Sequence, residues 1–465
     1  MSAYVWFSEE LWPGGYNFFV MLRNNPAVRR IFDSDVYSIP KENLSKPQKI
    51  VVTQGEMRNV YYHSDPSFEK INKGISAFIS ATLKDETLIL NRTTVDKNEW
   101  HDVLRNDEIL DTNSIYVNYS IEYGSNLFAR VIGIKETWLG KEISAVKEFI
   151  VAPVDGGNIL FYVKDAATEM IYKYLVKYEE SKTVASVIND YATNTDTTYS
   201  YSYELNLDKN DEGIGTGVVQ KVFLDSMSII SSGTTTVPVI YGENPFETGI
   251  VDRDELLGGF QYASGSPNHH TDFEGIEYFI ENYSHLKIYP SGLIEYVAET
   301  AGGGISLPES PATAYEALNK SIEFAENIWR SAMGDVSFSV LVTSDIIENN
   351  EGNYKFTLDY YYEGNMVTTS LKGNGHDSMN HAVEIEVKNG EIVKYRHFFR
   401  KYDNAGTVVS TPQIEALDKI YERFQSPETE IIINDIYLSY IENGSINDKS
   451  PVWCAKIEGS DEIVY

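Results

Sequence analysis

Two rhythms of apolar residues alternate along this chain, and the switches between them outline its elements. Residues 49–53 and the run Val60-Tyr61-Tyr62 alternate as strands on either side of Gly55-Glu56, which predicts a hairpin. The period then lengthens. Phe68, Ile71, Ile75, Phe78 and Thr82 recur at helical spacing, with Asp65 placed to cap and Pro66 in the first turn. Asp96 and Glu99 form a capping-box pattern ahead of Trp100, Val103 and Leu104, predicting a second helix. Strand alternation returns over 114–131 and 143–154, so a first α+β domain is expected to occupy 1–153.

The next stretch starts with a hairpin pattern over 158–163 and 170–175, followed by a helix after Ser181. Residues 198–205 alternate as a half-buried strand that places Tyr199, Tyr201 and Tyr203 on one face. Residues 208–217 read as a loop, Asn244-Pro245 as a turn and 252–257 as a short helix, which closes a central domain at 154–267.

Beyond it, residues 268–465 carry one block written twice, about 99 residues apart, a repeat-unit spacing. The first copy has a hairpin around Pro290-Ser291-Gly292, a helix with Glu316-Ala317-Leu318 and a strand pair ending at Tyr362-Glu363-Gly364. The second has a hairpin at Asn389-Gly390, a helix with Glu415-Ala416-Leu417 and strands ending at Trp453-Cys454-Ala455. Repeats over about 285–364 and 383–459 are expected, with Leu318 equivalent to Leu417, Gly292 to Gly390, and each sheet buried against its own helix. The whole is therefore expected to be a multidomain α+β protein: antiparallel sheets backed by helices, with a duplicated hairpin–helix–hairpin unit in its C-terminal half.

Composition narrows the function. The 465 residues exceed one ordinary core, and 42% apolar content suits a folded chain. With 69 acidic against 38 basic residues, the net charge of -31 repels nucleic acid and anionic lipid headgroups, so no nucleic-acid partner is expected. One cysteine, Cys454, excludes internal disulfides and CxxC sites, and in an alternating strand it behaves as a small apolar residue. No apolar run of about 18 residues and no cleavable signal pattern is present. Tyr4, Trp6, Phe7, Trp12, Tyr16, Phe18 and Phe19 crowd the start; they suit either a docked terminal element or the segment where an upstream membrane helix meets water.

Candidate chemistry is sparse. His269-His270 with Asp272 and Glu274 is the densest ligand-capable cluster, but neighbouring histidines in an extended segment point to opposite faces, so a solvated loop is expected. Gly373-Asn374-Gly375-His376-Asp377 with His381 is treated likewise, and neither cluster has the HExxH form. The glycines at 213, 215 and 217 miss the dinucleotide spacing, Gly302-Gly303-Gly304 lacks a following Lys-Ser or Lys-Thr, and no G-x-S-x-G elbow exists. With so many carboxylates no acid and base pair can be nominated. No catalytic, cofactor-binding or metal residue is assigned. The tyrosine rows, Tyr199, Tyr201 and Tyr203 and then Tyr360 and Tyr362, pack across strands in most proteins; where exposed they would anchor a protein partner.

Residues Tyr278-Phe279-Ile280-Glu281-Asn282-Tyr283-Ser284-His285-Leu286, continuing to Gly292-Leu293-Ile294-Glu295-Tyr296, resemble the stretch of YycH proteins in which an EN-Y-x-x-L strand leads into a G-x-x-x-Y hairpin. Ile436-Tyr437-Leu438-Ser439-Tyr440 with Pro451-Val452-Trp453 resembles the ending shared by YycH and its relative YycI, and the aromatic opening is similar to the segment just after that family's membrane helix. The resemblance implies a non-enzymatic extracytoplasmic regulator on a Gram-positive membrane, tethered by one N-terminal helix that this sequence does not contain. It implies a YycI-like protein and a WalK-like sensor histidine kinase as partners, control of cell-wall metabolism as the output, and no cofactor. Two other readings stay open: a secreted or lipoprotein-like PepSY-type module that binds peptides or proteases, and a cell-wall hydrolase, which a deep pocket with two carboxylates would favour.

Overall fold

The computed structural model describes residues 46–105, 113–193, 195–209, 222–262, 268–281, 283–300, 302–307, 313–334, 336–343, 352–371, 378–410, 412–424, 430–458 and 463–464. The aromatic opening, the glycines at 213, 215 and 217, and Gly373 to Asp377 lie outside them. Within them the protein is α+β, with seven α-helices and mostly antiparallel sheets.

Strands β1 (Lys49–Gln54), β2 (Met57–Tyr62), β3 (Ile89–Val95), β4 (Ser114–Gly124), β5 (Ala145–Val154), β6 (Asn158–Asp165) and β7 (Ile171–Lys177) form an antiparallel sheet in the order β2-β1-β4-β5-β6-β7-β3. Helices α1 (Phe68–Lys84), α2 (Lys97–Leu104), α3 (Ser125–Val131) and α4 (Ser181–Tyr191) surround it. In α1 the five residues of the helical pattern are all buried, joined by Ile79 and Leu83. Asp65 and Pro66 build the lead-in: the Asp65 carboxylate accepts the Ser67 amide at 2.7 Å, and the helix begins at Phe68. Asp96 caps α2 by accepting the Glu99 amide at 2.9 Å, while Glu99 turns to Lys173 instead of closing the box.

Because side chains alternate, Val52, Val117, Phe149 and Phe161 fall in one core with α1 and α4, and Val51, Tyr116, Ile150 and Tyr162 in another with Trp100 of α2. The central strands are buried on both faces, and the edge strand β3 is largely exposed.

Two expectations change here. The strand expected over 114–131 stops at Gly124, and Ser125 starts α3, whose Leu127, Phe128 and Val131 are buried at helical spacing. The boundary near Pro153 falls inside a hairpin: β5 and β6 pair from Val146↔Asp165 to Val154↔Asn158. Gly156 and Gly157, at φ +83° and +79°, make the residues after Val154 a tight turn rather than a linker. The first sheet therefore runs to Lys177.

The remaining central elements are β8 (Tyr199–Tyr201), β9 (Val222–Leu224), β10 (Ile229–Ser231), β11 (Thr236–Glu243) and α5 (Arg253–Gly259). They form no sheet of their own beyond the β8–β10 pair; β9 and β11 join strands far along the chain. The strand expected over 198–205 ends at Tyr201 in a 3-10 turn, where the Glu204 carboxylate accepts the Tyr201 amide at 2.8 Å.

The C-terminal part comprises β12 (His269–Thr271), β13 (Glu277–Ile280), β14 (Ser284–Ile288), β15 (Leu293–Ala298), β16 (Ile305–Ser306), α6 (Ala314–Met333), β17 (Val340–Val342), β18 (Tyr354–Tyr362), β19 (Asn365–Thr369), β20 (Val383–Lys388), β21 (Glu391–Phe398), β22 (Lys401–Val409), α7 (Gln413–Arg423), β23 (Ile431–Glu442), β24 (Asp448–Lys449), β25 (Val452–Ile457) and β26 (Ile463–Val464). Hairpin, helix and strand pair do recur in chain order. In space the two copies interleave: the sheet runs β12-β13-β14-β15-β21-β20-β18-β19-β23-β25-β26, so the hairpins of both copies meet at β15–β21.

The helices do not each cover their own hairpin. Phe324 of α6 packs edge-on against Tyr395 of the second hairpin at 5.2 Å, and Trp329 stacks near Phe399 at 5.1 Å. Leu318 lies in that large core, whereas Leu417 of α7 sits in a separate small cluster with Val222, Ile433 and Ala455. The turns differ too: Gly292 closes a four-residue turn onto Tyr289, while Asn389-Gly390 is a two-residue turn with both residues left-handed. Joining β15 to β21 covers an edge that each hairpin alone would expose.

Candidate functional site

The tyrosine rows are mostly core. Tyr201 is fully buried, edge-on to Tyr116 at 6.1 Å and under the Arg58 guanidinium at 4.5 Å. Tyr203 stacks on Tyr201 at 5.4 Å and on His101 at 3.9 Å. Tyr360 is 4% exposed. All three are turned inward, Tyr201 and Tyr360 by strand alternation and Tyr203 by the 3-10 turn that stacks it on His101; Tyr199 and Tyr362 are half-buried at the margins.

Tyr360 belongs to a buried polar chain. His397 is fully buried, with Nε2 2.7 Å from the Tyr360 hydroxyl and Nδ1 2.7 Å from that of Tyr395. Burial pushes the imidazole down to about 3, so it is neutral. The Tyr360 hydroxyl donates to the Phe398 carbonyl at 3.1 Å, which leaves it to accept from His397 Nε2–H, while Tyr395 donates to Nδ1. Nearby, Glu442 (0% exposed) sits between Arg400 Nε at 3.8 Å and Lys449 Nζ at 3.7 Å. Glu442 also accepts from the Gly444 amide at 2.7 Å and the Tyr402 hydroxyl at 3.2 Å. Burial lowers the pKa of both Arg400 and Lys449 and raises that of Tyr402. Being enclosed, these groups hold strands together.

The histidine cluster is a strand, not a loop. His269 stacks on Phe279 at 4.3 Å and His270 on Tyr278 at 4.8 Å, on the two opposite faces of β12. Among the described residues no group of three or more His, Cys, Asp or Glu is placed to hold a metal ion. His381 Nδ1 lies 2.8 Å from Asp359, whose other oxygen accepts the Ala382 amide at 2.9 Å, so this pair pins the start of β20 to β18. Cys454 is buried on β25, with its thiol pushed up to about 12 by burial. Glu148, the buried carboxylate whose charge adds to the burial that raises Asp225, is held by Tyr116 at 2.5 Å and Lys164 at 3.3 Å.

The less-covered chemistry lies on the second face of the large sheet. Leu286, Tyr296, Tyr395, Ile385 and Phe356 line the face under α6. On the other face Tyr278, Lys287, Glu295, Arg396, Glu384 and Thr357 stand in one cross-strand row. Lys287 reaches Glu295 at 2.9 Å, and Arg396 lies 3.3 Å from both Glu295 and Glu384. A parallel outer row, His285, Val297, Lys394, Glu386 and Lys355, is more exposed. Sequence reasoning missed this face because its charges come from both interleaved copies; alternation within each strand was visible, but the partner strand was not. No helix among the described residues is long and apolar enough to cross a membrane.

No protein-family model matches the chain, and no curated protein does. Among solved structures it is similar to YycH from Bacillus subtilis, with a TM-score of 0.55 and 11% identity over 91% of this chain and 97% of that one. The chain has the YycH fold. An uncharacterized protein from Eubacterium rectale overlaps 53% of this chain and 86% of its own at 13% identity, with a TM-score of 0.30, too low to bear on the fold.

Proposed function

We propose that this chain is a non-enzymatic extracytoplasmic regulator, acting with a YycI-like protein on a WalK-like sensor histidine kinase that controls cell-wall metabolism. The observation that supports the reading most is the agreement in fold with YycH along nearly the whole of both chains. The enclosure of His397, Arg400 and Glu442 favours a structural over a catalytic use for them. A sensor kinase has two signalling states, and a partner that binds one of them more tightly by a few kcal/mol biases its output. Membrane attachment beside the kinase would raise the effective concentration of both partners.

The test places the chain behind a membrane helix in a Gram-positive host lacking its own YycH and reads a kinase-dependent reporter. A changed output, with the YycI-like protein and kinase recovered together with the chain, is expected. Unchanged output and no recovery of either overturns the reading.

A further inference from the structure

Phe273 is 95% exposed, far beyond the other large apolar residues among those described, of which Val409 at 61% and Tyr283 at 60% come next. It stands at the tip of the β12–β13 hairpin, and the turn beneath it is fixed. The Asp272 carboxylate accepts the amides of Glu274 at 2.9 Å and Ile276 at 3.0 Å, the Gly275 amide returns to the Asp272 carbonyl, and Gly275 adopts φ +83°. The ring is thus held out by a turn that is already ordered, which removes much of the entropy loss of docking.

Three loops meet at this end of the sheet. Gly275 lies so close to Pro290 that an added Cβ would sit 3.2 Å from its ring, Asn244 Nδ2 donates to the Pro290 carbonyl at 2.8 Å, and Arg253 pairs with Glu277. Along them Glu247, Asp252, Asp254, Glu255 and Glu274 are exposed, and the exposed cation Arg253 is already neutralised by Glu277. An open depression of about 500 Å³ is lined by residues 249–254, including Ile250, itself 39% exposed, and Arg253, which pairs with Glu277 of β13.

An apolar knob ringed by carboxylates is complementary to an apolar pocket ringed by Lys and Arg, and it is repelled by anionic lipid. We propose that the Phe273 hairpin tip is a docking surface for a basic protein partner, the ring filling that partner's pocket and the carboxylates of the adjoining loops meeting its cationic rim. The proposal rests on the regulatory reading above and deepens it by naming the contact.

The experiment measures binding of the full chain to two purified probes, the extracytoplasmic domain of the WalK-like kinase and the YycI-like protein, by interferometry at several salt concentrations. Phe273→Ala is expected to weaken binding to one probe at least about tenfold through faster dissociation, while Phe273→Trp retains it. Replacing Glu247, Asp254 and Glu274 together by their amides is expected to slow association and flatten its salt dependence. Folding is checked by urea unfolding, which Phe273→Ala leaves unmoved because the ring touches solvent. Wild-type binding that survives Phe273→Ala overturns the docking surface and leaves the regulatory reading standing; no wild-type binding to either probe overturns both. Phe273-dependent self-association in sedimentation, or Phe273-dependent binding to phosphatidylglycerol vesicles, assigns the tip to another occupant and also overturns the proposal.

Discussion

The seven-stranded sheet and the large C-terminal sheet treat their faces in opposite ways. The first packs apolar side chains on both faces, under α1 and α4 on one side and α2 with Tyr201 and Tyr203 on the other. The second packs one face under α6 and gives the other a charged row, with a buried ion cluster and a buried histidine deeper in its structure. The central strands of the first sheet are thus enclosed on both faces, and its exposure is concentrated on the edge strand β3. The second keeps a polar face and ends in a hairpin that holds an aromatic ring in solvent. Gln48 and Lys49 link the two by reaching Asp435 of β23 at 3.0 and 3.2 Å.

The sharpest way to break this contrast is to remove one residue of each kind. Glu442→Ala leaves Arg400 and Lys449 buried without their counter-charge and is expected to cost about 3–5 kcal/mol, read as a lower urea midpoint. Phe78→Ala in α1, against the first sheet, should cost a similar amount, about 3–5 kcal/mol, by opening a cavity between Phe161 and Tyr178. The difference lies in repair. Phe78→Leu restores most of the loss, whereas Glu442→Gln keeps the shape but not the charge and restores little. Full rescue by Glu442→Gln would mean that the cluster is held by packing alone.

Acid should separate the sheets next. An unfolded histidine titrates near 6.5, and folded His397 is pushed down to about 3, so between those values the unfolded chain binds a proton that the folded one refuses. The stability that neutral His397 provides is present above about pH 6.5 and is lost as pH falls toward 3, amounting to roughly 2–3 kcal/mol by pH 4.5. His101, stacked on Tyr203 and pushed down to about 4, adds a slope of the same sign from the first sheet. His397→Phe should therefore flatten the fall in urea midpoint between pH 6.5 and 4.5 without abolishing it. An unchanged slope would contradict the neutral Tyr395–His397–Tyr360 chain.

The same contrast explains what could be read from the sequence. In the first sheet, α1, the β1–β2 hairpin and the Asp96 cap follow from local pattern, while the remote pairings of β1 with β4 and β3 with β7 do not. In the second, β15 meets β21 and β19 meets β23, partners about 100 and 70 residues away by their numbering, and periodicity carries no information about such pairings. The duplicated order was legible; its interleaving was not. Tyr201, Tyr203 and Tyr360 show the same limit, since alternation fixes that side chains share a face but not whether that face meets solvent. Phe273 carries no sequence signal at all, because a single Phe in a polar turn is ambiguous until the turn is seen.

A smaller effect is expected at Cys454. The thiol is enclosed on β25, 3.7 Å from the Val452 carbonyl, and Cys454→Ser buries a hydroxyl in its place, so a loss of about 1–2 kcal/mol should follow. Binding to the kinase-side probes, measured where both forms are folded, should be unchanged. Abolished binding would give the thiol a role in chemistry that its burial argues against.

The smallest effect is expected on the outer row of the polar face, and it tests whether that face is organised for folding or for contact. Lys394 is about one-third exposed and lies 3.9 Å from Glu386, a pair too long and too wet to contribute much. Lys394→Ala should move the urea midpoint by no more than about 0.5 kcal/mol in free-energy terms. One row inward, Arg396 is 7% exposed between two carboxylates, so Arg396→Ala leaves Glu384 without this cation and Glu295 with Lys287 alone, and should cost several times more. Stability cost should thus rise from the outer row to the inner one. Equal costs at Lys394 and Arg396 would mean that both rows are equally wet, and the face could then not be described as a polar surface graded from solvent to core.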